Sequence, residues 1–238
     1  RSRFLQLAMQ AALDADVGRT SKLYPYEACG VSVGSGIGSI ESITLAHDAL
    51  VNKSHRKISP HFVPSILANS AAGVISQRFA LKGPNTSYST ACATGAHSII
   101  DAYRFVRDGE AELMVAGGAE ASVDPLSMAG FSRLRALSTR FEEEPEKSSR
   151  PFDSKRDGFV MGEGACVLVL ESLEAVLERG DGATILAEVL GYGCNGDAYH
   201  PTAPDPEGRG AERAMAQALK SAGRTVDEVD YVNCHATS

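Results

Sequence analysis

Short apolar runs along the chain are separated by segments with a helical spacing of hydrophobic positions. A strand that is covered on both faces needs apolar residues throughout, so these runs predict buried strands. The predicted strands are the apolar or β-rich runs at 28–38, 85–91, 111–121, 165–172, 183–193 and 229–235. Strands that alternate with helices predict an α/β fold, with a largely parallel sheet and helices on its faces.

The helical segments carry apolar residues about every 3.6 positions. Helices are predicted at residues 3–15, 64–79, 92–108, 173–180 and in a stretch that ends at 222. Pro64 suits a first helical turn, and Gly109 and Gly180 mark helix ends. Residues 138–158 are polar and contain prolines, which is typical of a long surface loop.

Composition narrows the classes of protein that fit the chain. Its 238 residues are 43% hydrophobic and 22% charged, which excludes a disordered tail, a collagen and a coiled coil. A net charge of −7 argues against a nucleic-acid binder, because phosphates select a basic surplus. No apolar run approaches the roughly 20 residues of a membrane span, so no membrane insertion is predicted. The five cysteines form no CxxC pair, which disfavours a disulfide framework and a zinc knuckle.

Two glycine patterns are similar to known motifs but do not fit them. Gly30, Ser32 and Gly34 have the GxSxG spacing of a hydrolase nucleophile elbow, which requires a sharp turn at the serine. Ser32 lies between two valines within a predicted strand, so a hydrolase is disfavoured. Gly34, Gly36 and Gly38 are spaced GxGxG rather than the GxGxxG of a dinucleotide loop, and a tight turn is the simpler interpretation.

One cysteine and one histidine stand out by position. The 85–91 run ends where a helical pattern starts, which places Cys92 at a helix N-terminus, where free backbone N–H groups favour a thiolate. His235 follows the last predicted strand, and sites in open α/β sheets lie at the carboxyl ends of strands. Cys92 is thus a candidate nucleophile, and His235 a candidate hydrogen-bond donor or proton-transfer group. Purely structural roles stay open for both, and the other four cysteines are interpreted as structural.

Five motifs occur together in one order. They are STACATGAHS, VAGGAEAS, FSRLRALSTR, RPFDSKRDGFVMGEGA and VNCHATS. In sequence and spacing they resemble the β-ketoacyl-[acyl-carrier-protein] synthases, above all the type II enzymes that elongate fatty acids. The resemblance covers nearly the whole chain. GFSRLRALST, TAPDPEGRGA, AEVLGYG and HATS look most like the mitochondrial branch, so a mitochondrial location is favoured over a bacterial cytoplasm or a plastid.

The resemblance implies a thiolase-like fold, two similar halves stacked as an αβαβα sandwich and paired into a homodimer. Residues 1–175 would form the first half, incomplete at its start, and residues 176–238 would begin the second. The chain starts with Arg rather than Met and lacks the family's lysine motif, second histidine and final glycine loop. We therefore expect a piece of a longer enzyme, inactive by itself for full turnover.

The resemblance also assigns chemistry to three residues. Cys92 would accept an acyl chain from the phosphopantetheine of acyl carrier protein, and its backbone N–H would serve the oxyanion hole. Malonyl-carrier protein would then lose CO2, and its enolate would attack the acyl thioester. His235 would stabilise the enolate oxygen, and Thr237 would bind the pantetheine arm. The resemblance implies an enzyme with no cofactor and no metal, whose substrates are carried on the phosphopantetheine of acyl carrier protein.

Three apolar residues match the family's acyl tunnel. Ile37, in the glycine loop, and Phe131, in GFSRLR, would line the tunnel. Phe62 would reach in from the partner subunit of the homodimer. Plain core packing is the alternative for all three.

Four basic residues match the family's docking surface for acyl carrier protein. They are Arg56, Lys57, Arg133 and Arg135. An acidic enzyme that handles an acidic carrier needs a local basic patch to guide the encounter. Ordinary surface charge is the alternative.

Two other functions stay open. One is a truncated, non-catalytic relative that dimerises or binds an acyl group. The other is the ketosynthase domain of a polyketide synthase, which flanking acyltransferase or carrier domains would reveal. The preferred acyl chain length does not follow from the sequence.

Overall fold

The computed structural model describes residues 2–238, which divide into two compact units. Unit 1 extends to Asp181 and includes Ala236–Ser238, and unit 2 is Gly182–His235. Unit 1 contains a four-stranded sheet in the order β2-β1-β3-β4. Its strands are β1 (Cys29–Gly34), β2 (Asn85–Thr86), β3 (Leu113–Ala121) and β4 (Glu163–Glu171).

The sheet is mixed rather than largely parallel. β1 pairs in parallel with both β2 and β3, whereas β3 and β4 are antiparallel. Glu163 pairs with Ala121, so β4 begins at the end of the sheet where β3 finishes, and the chain runs back along β3. A parallel pair would need a connection that crosses to the opposite end. The prediction of a largely parallel sheet is therefore wrong for β4.

Helices cover both faces of this sheet. The helices of the described residues are α1 (Arg3–Asp14), α2 (Val17–Thr20), α3 (Ile40–Asn52), α4 (Phe62–Ile66), α5 (Ser70–Phe79), α6 (Thr94–Arg107), α7 (Pro125–Arg133), α8 (Leu173–Arg179) and α9 (Arg209–Ala222). Successive residues of a strand face opposite sides. Val115 belongs to the core cluster that contains Phe4 of α1 and Ile75 of α5, whereas its two neighbours, Met114 and Ala116, belong to a second cluster with Ala102 of α6.

Several predicted elements differ in detail. The helix predicted at 64–79 is two helices, α4 and α5, because Leu67 is extended (φ −69°, ψ 129°) and interrupts the helical path. The β-rich run at 85–91 pairs with β1 only at Asn85 and Thr86. Helices α3 and α7 were not predicted. For α7 a signal was present, since Asp124 caps the helix and Pro125 occupies its first position.

Unit 2 contains α9, a 3-10 turn at Val226–Glu228 and segments outside helices and strands. The backbone N–H of Cys194 donates to Gln217 Oε1 at 3.2 Å, and Asn195 Nδ2 donates to the carbonyl of Gly210 at 3.1 Å. The predicted strands at 183–193 and 229–235 are not strands in the described structure. A strand requires a hydrogen-bonded neighbour, and these segments pair with no strand among residues 2–238. Within the same range no helix is both long and apolar enough to cross a membrane.

Candidate active site

Cys92 lies in the turn that leads from β2 into α6. The 3-10 turn Ala91–Ala93 runs directly into α6, which begins at Thr94. Ala91 has a φ of +51°, in the left-handed region that a residue with a Cβ rarely adopts. The chain therefore bends sharply immediately before the cysteine, and the Cys92 side chain is exposed. The predicted position at the start of a helix is confirmed.

Side-chain hydrogen bonds hold this bend in place. The hydroxyl of Thr94 donates to the carbonyl of Ala91 at 2.7 Å and accepts the backbone N–H of Thr90 at 2.9 Å. The hydroxyl of Thr90 lies 2.7 Å from Nδ1 of His97, one turn along α6. These hydrogen bonds compensate for the unfavourable backbone angle at Ala91 and hold the turn in one conformation.

Asp101 ties α6 to the sheet beneath the cysteine turn. Its carboxylate accepts hydrogen bonds from the hydroxyls of Thr86 (2.6 Å), Tyr88 (3.2 Å) and Ser32 (3.4 Å). Ser32 is fully buried in the middle of β1, so the hydrolase interpretation of its glycine motif is excluded by position. The network fixes the helix that begins at the cysteine turn relative to two strands.

The glycine loop at 34–38 follows β1 and passes against the segment before Cys92. A Cβ on Gly34 would lie 2.2 Å from the carbonyl oxygen of Tyr88, so only glycine allows this approach. The backbone N–H groups of Gly36 and Ile37 donate to Glu120 Oε2 at 2.8 and 3.0 Å. A side chain of the same molecule thus occupies the amides that a nucleotide phosphate would need, which agrees with the prediction of a tight turn.

The three candidate tunnel residues lie on three different elements of unit 1. Ile37 stands at the tip of the glycine loop, with 43% of its surface exposed. Phe131 lies on α7, and its ring meets that of Phe159 edge-on with the centroids 5.5 Å apart. Phe62 begins α4 and is half-buried. Of the three, Ile37 is the one that the loop contacts bring towards the cysteine turn.

The four candidate docking residues are exposed cations. Arg56 and Lys57 are consecutive in a 3-10 turn after α3, and Arg133 ends α7. Arg135 follows in a left-handed conformation, with a φ of +57°, and lines a cleft of about 280 Å³ together with Arg140. None of the four docking residues forms a salt bridge with a residue in the described range. Their charges are therefore available to a partner.

The remaining predicted site residues lie near the end of the chain. His235 is exposed and is the last residue of unit 2, whereas Thr237 is exposed in the short segment that belongs to unit 1. Among residues 2–238, no group of three or more His, Cys, Asp or Glu side chains is arranged to hold a metal ion.

Sequence reasoning missed two carboxylates that organise the site, Asp101 and Glu120. A signal for Glu120 was present, because a lone acidic residue interrupts the small and apolar run of β3. A charge in such a run is costly unless partners satisfy it. Asp101 had a weaker signal, since helices commonly carry charges on one face.

Comparison with known proteins covers nearly the whole chain. The profile of the β-ketoacyl synthase N-terminal domain matches residues 2–175, and that of the C-terminal domain matches residues 186–238. The chain belongs to the β-ketoacyl synthase family. This confirms the resemblance drawn from the sequence motifs.

Curated β-ketoacyl synthases are close in sequence but longer. A mitochondrial 3-oxoacyl-[acyl-carrier-protein] synthase of Arabidopsis thaliana is 53% identical over 212 residues, which cover 89% of this chain and 46% of the relative. A 3-oxoacyl-[acyl-carrier-protein] synthase 2 of Rhizobium meliloti is 54% identical over 209 residues, which cover 88% of this chain and 49% of the relative. The chain thus spans about half the length of the curated relatives it matches.

A solved ketosynthase structure agrees with the fold. A complex described as AntDE:AntF, a type II polyketide acyl-carrier protein with its ketosynthase bound to the hexaketide, contains a chain that is 32% identical. It superimposes with a TM-score of 0.89 over 100% of this chain and 60% of its own length. The fold is that of the thiolase-like ketosynthases, as predicted.

Proposed function

We propose that this chain is part of a 3-oxoacyl-[acyl-carrier-protein] synthase that elongates fatty acids by two carbons. The observation that carries the proposal is the exposed Cys92, held on a sharp strand-to-helix turn, in a chain whose curated relatives carry that name. A nucleophile on such a turn is open to a substrate from one side and rigidly held from the other.

The proposed reaction proceeds in two steps. Cys92 Sγ attacks the acyl thioester of the carrier protein, so that a new C–S bond forms and the carrier thiol leaves. Malonyl-carrier protein then loses its carboxyl group as CO2, and the electron pair of the broken C–C bond forms an enolate. The enolate carbon attacks the acyl carbon, and Cys92 leaves as a thiolate. His235 donates a hydrogen bond to the enolate oxygen, and the N–H of Cys92 binds the acyl oxygen.

The other predicted residues complete this proposal. Ile37 and Phe131 line the acyl tunnel together with Phe62 of the partner subunit, and Thr237 binds the pantetheine arm. The carrier protein docks on the exposed basic residues described above. The similar ketosynthase of the AntDE:AntF complex supports the docking proposal, because it was solved together with an acyl-carrier protein.

We propose a homodimer, in which residues 1–175 belong to the first thiolase-like half and residues 176–238 to the second. In the described sheet β2 is an edge strand, paired on one side only. Leu45 and Val51 of α3 are 62% and 65% exposed, and α3 has no buried residue, so this helix offers apolar surface that a partner subunit would cover. A mitochondrial location is proposed from the Arabidopsis relative, with a bacterial cytoplasm as the alternative from the Rhizobium relative.

Acylation and condensation of the full-length gene product test the proposal. Intact mass after incubation with acyl-carrier protein should show one acyl group, and malonyl-carrier protein should then yield a product two carbons longer. A Cys92→Ala variant should lose both signals, because no other thiol lies on the turn. Cys166→Ala, which removes another exposed thiol, should keep both. Acylation without condensation in the wild type would favour the non-catalytic, acyl-binding alternative, and no acylation would refute the proposal.

A further inference from the structure

We propose that Glu120 is a positioning residue that fixes Ile37 and thereby sets which acyl chains Cys92 accepts. The inference rests on the proposed function, since it concerns the acyl site of that reaction. Glu120 lies within the motif VAGGAEAS, next to the last position of β3, and the resemblance gives it no role.

The carboxylate of Glu120 accepts four hydrogen bonds. Oε2 accepts the backbone N–H groups of Gly36 at 2.8 Å and Ile37 at 3.0 Å. Oε1 accepts the hydroxyl of Ser35 at 2.9 Å and that of Ser122 at 3.3 Å. A single side chain of the sheet therefore accepts hydrogen bonds from three consecutive residues of the glycine loop.

The opposite side of the loop rests on the turn that carries Cys92. The hydroxyl of Ser89 donates to the carbonyl of Gly36 at 3.2 Å. A Cβ on Gly36 would lie 3.0 Å both from the carbonyl oxygen of Ala91 and from Glu120 Oε2. The loop is thus held between Glu120 and the cysteine turn, and a displacement at Glu120 would change the distance from Ile37 to Cys92.

Backbone anchoring matters here because packing fixes Ile37 only in part. The residue is 43% exposed, so its position depends also on the hydrogen bonds of its backbone. A hydrogen bond from a backbone N–H to a carboxylate is roughly twice as strong as one to a neutral acceptor. These contacts let the Glu120 carboxylate set the position of Ile37, which the proposed function places in the wall of the acyl tunnel. Pocket walls discriminate between substrates that differ by a single methylene.

The test compares variants of the full-length gene product. Initial rates of Cys92 acylation are measured by intact mass with short, medium and long acyl-carrier proteins. In Glu120→Ala the ratio of rates between the best and the worst chain length should fall about tenfold, because the tunnel wall becomes movable. Glu120→Gln should restore most of the ratio, since its amide oxygen can accept the two N–H groups and its NH2 can donate to the rotatable serine hydroxyls.

Two controls separate positioning from general stability. Glu171→Ala removes a carboxylate that accepts the hydroxyl of Tyr24 at 2.7 Å and pairs with Arg179 at 2.7 Å, beside Leu113 at the opposite end of β3, and it should leave the ratio unchanged. Glu120→Ala combined with Ile37→Ala should lower the ratio no further than Ile37→Ala alone, because both act through one side chain. Additive effects of the two substitutions would overturn the inference, as would an unchanged ratio in Glu120→Ala.

If Glu120→Ala does not fold, Glu120→Asp serves in its place. It keeps the charge and withdraws the carboxylate by one methylene, so the ratio should again fall, and an unchanged ratio would contradict the inference. Failure of this inference is distinct from failure of the proposed function. In the first case the wild type is acylated and its selectivity survives the Glu120 substitutions, whereas in the second the wild type is not acylated at all.

Discussion

At the scale of single residues, the same side chain serves different purposes according to its surroundings. Cys29 is fully buried at the start of β1, where its Sγ donates to the carbonyl of Pro25 at 3.4 Å. Burial raises the pKa of the Cys29 thiol to about 11, so it stays protonated and unreactive at neutral pH. Cys92 is exposed on its turn. Cys166, Cys194 and Cys234 were interpreted as structural but are exposed in the described structure.

Cys29 makes a testable contribution to stability at alkaline pH. The folded pKa lies above the ordinary value, so the folded state holds the proton in the window from about pH 9 to about pH 11 while the unfolded state loses it. The free energy of unfolding therefore falls as the pH rises through this window. Cys29→Ser keeps a donor but removes the titration. Between about pH 8 and about pH 10.5 its free energy of unfolding should therefore fall by about 2 kcal/mol less than that of the wild type.

Urea denaturation at about pH 8 and about pH 10.5 measures this difference. Cys166→Ser provides the control, because it retains Cys29 and should keep the wild-type dependence. The burial argument would be refuted by a Cys29→Ser variant whose unfolding free energy falls as steeply with pH as that of the wild type.

At the scale of elements, α6 is placed by a polar network as well as by packing. Its inner side meets β3 through Ala102, and Asp101 at the preceding position binds hydroxyls from β1 and from the segment of β2. Since α6 begins at the cysteine turn, this network also fixes the position of Cys92 relative to the sheet. Arg179 and Glu171 form a comparable bridge, at 2.7 Å, between α8 and β4.

Replacing Asp101 should therefore affect both stability and acylation. Asp101→Leu removes the acceptor of three hydroxyls, one of them on the fully buried Ser32, and should cost about 2–4 kcal/mol of unfolding free energy. Acylation of Cys92 should slow as well, because the start of α6 loses its anchor. Chemical denaturation and intact-mass kinetics provide the two measurements.

Asp101→Asn keeps one acceptor oxygen and should lose markedly less in both measurements. Asp108→Ala, on the exposed end of the same helix, should have little effect on either, since its main partner is the neighbouring Arg107. Equal losses for the leucine and asparagine variants would show that the hydrogen bonds at Asp101 contribute nothing.

At the scale of the whole molecule, charge is unevenly distributed. The chain carries a net charge of −7, yet Arg133 and Arg135 lie exposed and without salt bridges to described residues at the end of α7. Such a local excess can guide an acidic partner to one face even when the protein as a whole would repel it. The docking proposal depends on this contrast.

Charge reversal at the docking surface should act on the partner rather than on the chemistry. Arg135→Glu in the full-length gene product should raise KM for acyl-carrier protein roughly tenfold at low salt, and less at high salt, because exposed charges are screened. The kinetics of a small thioester mimic should be unchanged. Arg19→Glu reverses an arginine whose side chain is 81% exposed on α2 and should leave both substrates unaffected. An equal loss with both substrates would argue against docking at Arg135.

The sequence by itself determined the family and several of the local elements of unit 1. The spacing of apolar residues predicted α1, β1, β3, β4 and α6, because burial on one or both faces imposes a period that is visible along the chain. The motif around Cys92 placed the cysteine at the start of a helix, since small residues and a change of period occur together there. These are local properties, and neighbours along the chain decide them.

Only the tertiary structure decided the pairing and the contacts between segments that are far apart in the chain. The antiparallel direction of β4 depends on which end of β3 the chain returns to, and no period in the sequence records that. The segments 183–193 and 229–235 have strand-like composition, but a strand exists only when a second segment supplies its hydrogen bonds. Glu120 reaches the loop of Ile37 across 83 positions of the chain. Its role arises from a contact in space, which the order of residues does not contain.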